Sequence, residues 1–128
     1  MLITATGGPG SSGLAAADSY YYGYDYAITE QYDLVFFDQR GARQSGNLQC
    51  PEAIDIYYSA DWYAKTENQE RALVETARTF AEDCVEEIGL PAETLQYYNT
   101  RQAVEDLEAF RLAIGDDKIY LYGESYGT

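Results

Sequence analysis

The chain has 128 residues, of which 46% are apolar, enough for one domain with a real core. Its 22 acidic residues outnumber 8 basic ones, giving a formal charge of −14. That balance argues against binding nucleic-acid phosphates or anionic membrane surfaces, and the short, interrupted apolar runs argue against a membrane span.

LITA (2–5) is a short apolar run with no basic or long apolar stretch around it, so the start does not read as a signal peptide. TGGPGSSG (6–13) carries four glycines and a proline, which predicts a loop. LAAADSYYYGYDYAITEQ (14–31) reads as helix-like and holds five tyrosines between Tyr20 and Tyr26. Such amphipathic rings either line a groove or pack against further polypeptide. DLVFFD (33–38) predicts a strand buried on both faces, as in a parallel sheet. QRGARQSGNLQCPEA (39–53) is polar and predicts a loop.

From Glu67 to Ile88 the spacing of Leu73, Ala77, Phe80, Ala81, Cys84 and Ile88 predicts a helix ended by Gly89 and Pro91. A second helix is expected after Thr100 as N-cap, turning Val104, Leu107, Phe110 and Ile114 inward, with Gly115 at its C-cap. KIYLY (118–122) predicts another buried strand. Strands alternating with helices make residues 1–128 an α/β domain with a mostly parallel sheet flanked by helices. The carboxylates are spread along the chain and read as a solvated surface, one that would also attract a cationic substrate such as a peptide amine.

The last strand runs into Gly123-Glu124-Ser125-Tyr126-Gly127. A serine between glycines two positions either side, directly after a buried strand, fits a sharp strand-to-helix turn that presents its hydroxyl. Gly123 and Gly127 keep strand and helix close, and the Tyr126 N–H can face a developing oxyanion. A second donor would come from Gly7-Gly8-Pro9-Gly10, where glycines allow close backbone approach and Pro9 stiffens the bend. Gly8 is the chosen donor, with Gly7 and Gly10 open as alternatives.

TGGPGSSG, YDLVFFDQRGARQSG and DLEAFRLAIGDDKIYLYGESYGT together resemble α/β-hydrolase-fold serine peptidases of the proline iminopeptidase and tripeptidyl aminopeptidase group. The resemblance implies Ser125 as nucleophile, Tyr126 and a GGPG glycine as oxyanion donors, and release of N-terminal residues from short peptides through an acyl-enzyme. It gives Asp38 and Arg40 a structural role beside the site, and it departs from this chain at Arg43, where relatives commonly carry glycine. Serine carboxypeptidases of the same fold are a second resemblance. In them the elbow glutamate binds the substrate's carboxylate, a role Glu124 could copy, but they usually carry proline where Arg40 stands. An esterase, or a non-catalytic binding module on the same scaffold, completes the alternatives.

Two cysteines and no histidine support no metal site, and no cofactor is implied. From the residues alone Cys50 and Cys84 read as buried thiols. The resemblance implies a Cys50–Cys84 disulfide, which would point to an extracytoplasmic or secreted setting; otherwise the compartment is open. In this fold the triad acid and histidine follow the serine. The resemblance thus implies an N-terminal part of an α/β-hydrolase fold, incomplete at its C-terminus and at its N-terminus, and inactive alone.

Overall fold

The computed structural model describes residues 1–128. In chain order its elements are β1 (Leu2–Ala5), α1 (Ala17–Gly23), α2 (Tyr26–Gln31), β2 (Leu34–Phe36), α3 (Pro51–Tyr58), α4 (Glu67–Ile88), α5 (Ala92–Leu95), α6 (Thr100–Ile114) and β3 (Tyr120–Gly123). They fall into two compact units, Met1–Asn47 with Tyr97–Thr128, and Leu48–Gln96.

In the first unit β1 is the middle strand of a three-stranded sheet ordered β2-β1-β3, parallel to both neighbours. Its β-branched Ile3 and Thr4 suit an extended backbone and are fully buried. Side chains alternate across a strand, so the register divides the sheet into two faces. Ile3 aligns with Val35 and Leu121, and Thr4 with Phe36 and Tyr122. Leu107 and Phe110 of α6 meet Ile3 and Val35 around a cavity of about 120 Å³. Tyr20 and Tyr24 of the α1 segment pack on Phe36 and Tyr122 of the opposite face. Helices on both faces of a parallel sheet are the expected α/β layering.

Several details correct the sequence reading. The strand predicted at 118–122 is not buried on both faces: β3 is an edge strand, and Tyr120 and Leu121 are 62% and 57% exposed. β2 is half-buried and shorter than DLVFFD. Asn99, not Thr100, caps α6, its side chain accepting from the Gln102 N–H at 3.1 Å, while Thr100 is the first helical residue. Val104, Phe110 and Ile114 remain exposed on α6, because three short strands give the helix little surface to cover.

The second unit is helical. α4 has the predicted bounds, capped by Thr66 and closed by left-handed Gly89. Its inward side runs through Leu73, Thr76, Phe80, Cys84 and Ile88, whereas Ala77 and Ala81 are exposed. The stretch predicted as loop to residue 53 instead starts α3 at Pro51, a proline in the first helical turn where no N–H partner is needed. Two carboxylate oxygens of Glu87 accept from the Glu52 and Ala53 N–H groups at that helix start. A Cys50–Cys84 disulfide joins α4 to the start of α3, and Tyr57 packs on Phe80 at 4.6 Å. No helix is long and apolar enough to cross a membrane.

Candidate active site

β3 ends at Gly123, Glu124 stays extended, and Ser125 turns to φ +52°, a left-handed conformation that L side chains rarely adopt. Ser125–Gly127 then forms a single 3-10 turn, held by Gly127 N–H to Glu124 O at 2.8 Å and Thr128 N–H to Ser125 O at 3.1 Å. The Glu124 N–H donates to Ala5 O at 3.1 Å, fastening the turn to the central strand. A Cβ on Gly123 would sit 2.5 Å from Gly127 O, and one on Gly127 would overlap the Ala5 carbonyl oxygen. Only glycine fits at either place, and that closeness holds the serine at the sheet's end in a strained, exposed position.

The GGPG bend comes to the same place. A Cβ on Gly7 would lie 2.8 Å from Ser125 Cβ, 3.1 Å from Glu124 O and 3.4 Å from Ser125 Oγ. Gly8 follows at φ +66° with its carbonyl bonded by the Ser11 N–H at 3.0 Å, and Gly10, at φ +86°, has no atom near a notional Cβ. Gly7 therefore packs directly on Ser125, Gly8 is the next residue of the bend, and Gly10 faces open space.

Each neighbour of Ser125 is tied by its side chain to a distant element. Tyr126 Oη and Thr100 Oγ1, at the start of α6, are hydrogen-bonded at 2.7 Å. Tyr20 of α1 donates to Glu124 Oε2 at 2.5 Å. That hydrogen bond, with burial and the Glu124 charge, pushes the Tyr20 phenol up to about 12. Tyr20 and Thr100 are absent from the motif reading because nothing in the chain pairs residues 104 and 26 apart; the tyrosine run hints only at an aromatic surface.

Asp38 and Arg40 make no hydrogen bond to the elbow but fix the loops around it. Buried Asp38 accepts from Ser12 Oγ at 2.6 Å, the Leu14 N–H at 3.2 Å and the Gln44 N–H at 3.0 Å. Burial opposes its charge, yet hydrogen bonds from Ser12 and from the Gln44, Leu14 and Gly13 backbone outweigh it and hold the carboxyl below its ordinary value. Arg40 grips Asp106 of α6 with two hydrogen bonds of 2.7 and 2.6 Å and reaches Tyr97 O at 2.8 Å. Arg43 has φ +24°, in the region that favours glycine. Cys50 and Cys84 belong to the other unit.

A parallel sheet between helices, ending in a glycine-flanked serine turn against a glycine-rich bend, defines the class. The chain belongs to the α/β-hydrolase-fold family, whose sequence profile matches residues 1–128. It is 33% identical to serine protease Hip1 of Mycobacterium tuberculosis over 137 residues, covering 99% of this chain and 25% of that protein. It is 37% identical over 131 residues to the tripeptidyl aminopeptidase of Streptomyces lividans, covering 99% and 24%. To the putative hydrolase YuaR of Escherichia coli it is 28% identical over 135 residues, covering 99% and 23%. The chain thus spans about a quarter of the length of the curated relatives it matches.

Proposed function

We infer that Ser125 is the nucleophile of a serine peptidase that removes N-terminal residues from short peptides. Its hydroxyl would attack the scissile carbonyl, and the oxyanion would be met by the Tyr126 N–H and a GGPG amide, Gly8 in our assignment. The amine product would leave, and water would resolve the acyl-enzyme. The observation that carries this reading is the left-handed Ser125 with Gly7 packed against it, an arrangement that costs strain and has no purpose in an ordinary turn. The names of the relatives, one a serine protease and one a tripeptidyl aminopeptidase, favour peptides as substrate.

None of the 128 residues is histidine, so these residues contain no imidazole base for Ser125. In the family's order the acid and histidine follow the nucleophile, and they would be supplied by polypeptide beyond this domain. A serine hydroxyl without a base is a poor nucleophile at neutral pH, so residues 1–128 alone should not turn over. The disulfide fits an oxidising, extracytoplasmic setting. The test is hydrolysis of tripeptidyl p-nitroanilides by the 128-residue chain and by the product of the reading frame continued downstream. Silence from the first, and from the second a turnover abolished in Ser125→Ala, is expected. Turnover that survives Ser125→Ala would end the assignment.

A further inference from the structure

Between α3 and α4 of the helical unit lies an open groove of about 410 Å³ that the Ser125 chemistry leaves without a role. Ile56 and Tyr57 of α3 form one wall, and Ile56 is 64% exposed. The other wall is α4, where Phe80 is bordered by Ala72, Thr76 and Thr79. With Asp83, those three fall four, three and four residues apart, the spacing of one helix face. Small side chains along that face let a further helix approach closely, and Ile56, Tyr57 and Phe80 offer it apolar surface.

Two carboxylates belong to the same groove. Asp83 is half-buried there and forms no ion pair. Glu75 pairs with Arg78 at 3.0 Å, but both side chains are exposed and the pair is weak. Eight residues separate the two acids, about 12 Å along the helix axis. The unit as a whole, Leu48–Gln96, has 11 acidic and 3 basic residues, a formal −8. Every helix of the chain carries net negative charge, so a second copy would meet repulsion here and has no helix of matching sign.

We propose that the α3–α4 groove docks a basic amphipathic helix of a separate protein. Its apolar face would lie on Ile56, Tyr57 and Phe80, and its cations on Glu75 and Asp83. Lysines or arginines about two turns apart on such a helix share a face and match the separation of the two carboxylates. Docking adds a third helix to the α3–α4 pair and covers Ile56. The proposal does not depend on Ser125 and stands or falls apart from the peptidase reading.

Trp62, the only tryptophan, stacks on Tyr57 with ring centroids 4.4 Å apart and so reports on the groove. The experiment titrates the 128-residue chain with synthetic helices of about 14 residues, followed by Trp62 emission and by calorimetry. The probes are an amphipathic helix of lysine, leucine and alanine, its glutamate-for-lysine counterpart, and a scrambled lysine peptide without an apolar face. Saturable binding is expected with the amphipathic lysine helix alone. Glu75→Gln with Asp83→Asn should weaken it about tenfold, the scale of two partly exposed ion pairs. Glu67→Gln with Glu70→Gln, the same loss of charge outside the groove, should weaken it by less than about twofold at physiological salt. Thr79→Tyr, which fills the groove from an exposed position, should abolish binding while leaving the urea midpoint near that of the parent. No saturable heat with the lysine helix, equal binding of the glutamate or scrambled peptide, or equal losses from the two charge pairs would overturn the proposal. A dimer in sedimentation that Thr79→Tyr dissolves would give the groove to a second copy. Loss of binding in the product of the reading frame continued downstream would give it to this protein's own polypeptide, and either result overturns the proposal.

Discussion

Gly13 offers a sharp test of the packing that holds the GGPG bend against the sheet. It is buried between Ser12, whose hydroxyl donates to Asp38, and Leu14, whose N–H donates to the same carboxylate. A Cβ placed on it would overlap the Phe37 carbonyl oxygen and lie 3.1 and 3.2 Å from Phe37 C and N. All three are backbone atoms, and the Ser12–Asp38 bridge stops the two segments from sliding apart. Overpacking of this kind costs about 1–3 kcal/mol. The loss of unfolded-state entropy from glycine to alanine offsets about 0.4–1 kcal/mol, since the φ of Gly13 is not left-handed. Gly13→Ala should therefore destabilise by about 1–2 kcal/mol. The matched control is Gly23→Ala at the end of α1, where no atom lies within 4 Å of the new methyl. There only the entropy term acts, and a gain of about 0.5 kcal/mol is expected. Equilibrium urea unfolding followed by circular dichroism measures both. Two substitutions moving the midpoint the same way, or Gly13→Ala within about 0.5 kcal/mol of the parent, would refute the packing argument.

Reducing the Cys50–Cys84 disulfide, which spans 34 residues, should lower the stability of the helical unit by about 3–4 kcal/mol, read as a lowered urea midpoint in dithiothreitol. Arg43→Gly should raise stability by about 0.5–1 kcal/mol, because it relieves a left-handed strain of about 1–2 kcal/mol at some cost in backbone entropy; a lower midpoint would show that the arginine side chain holds the loop. Tyr20 holds its proton more tightly folded than unfolded, so its contribution is complete below about pH 10 and is lost as pH rises towards 12. Stability against pH over that window should flatten in Tyr20→Phe, and Glu124→Gln should bring the Tyr20 titration, followed by NMR, back down; no change would deny the hydrogen bond.

Features set by local chemistry were readable in the linear chain. The bounds of α4 follow from Gly89, Pro91 and a period of three and four, all within reach of neighbours, while its Thr66 cap appears only in the structure. The turn at Ser125 was readable because two glycines flank it directly after an apolar run. The burial of β3 was misread because an apolar run has the same letters in a central strand and at an edge. α3 was hidden behind a polar approach and a cysteine without a capping side chain. Its placement follows the disulfide and the Glu87 carboxylate, both over 30 residues away.

The order of glycines, serine and apolar runs was enough to determine the α/β class, the parallel sheet and the turn that presents Ser125, because each depends on backbone freedom and short-range periodicity. Only the tertiary structure decided which residues surround that turn. Gly7 on Ser125, Tyr20 on Glu124, Thr100 on Tyr126 and Arg40 on Asp106 are contacts between segments that parallel pairing brings together across intervening helices. Such pairings depend on which strands become neighbours and in what register, and that is settled between segments far apart in the chain rather than within any one of them.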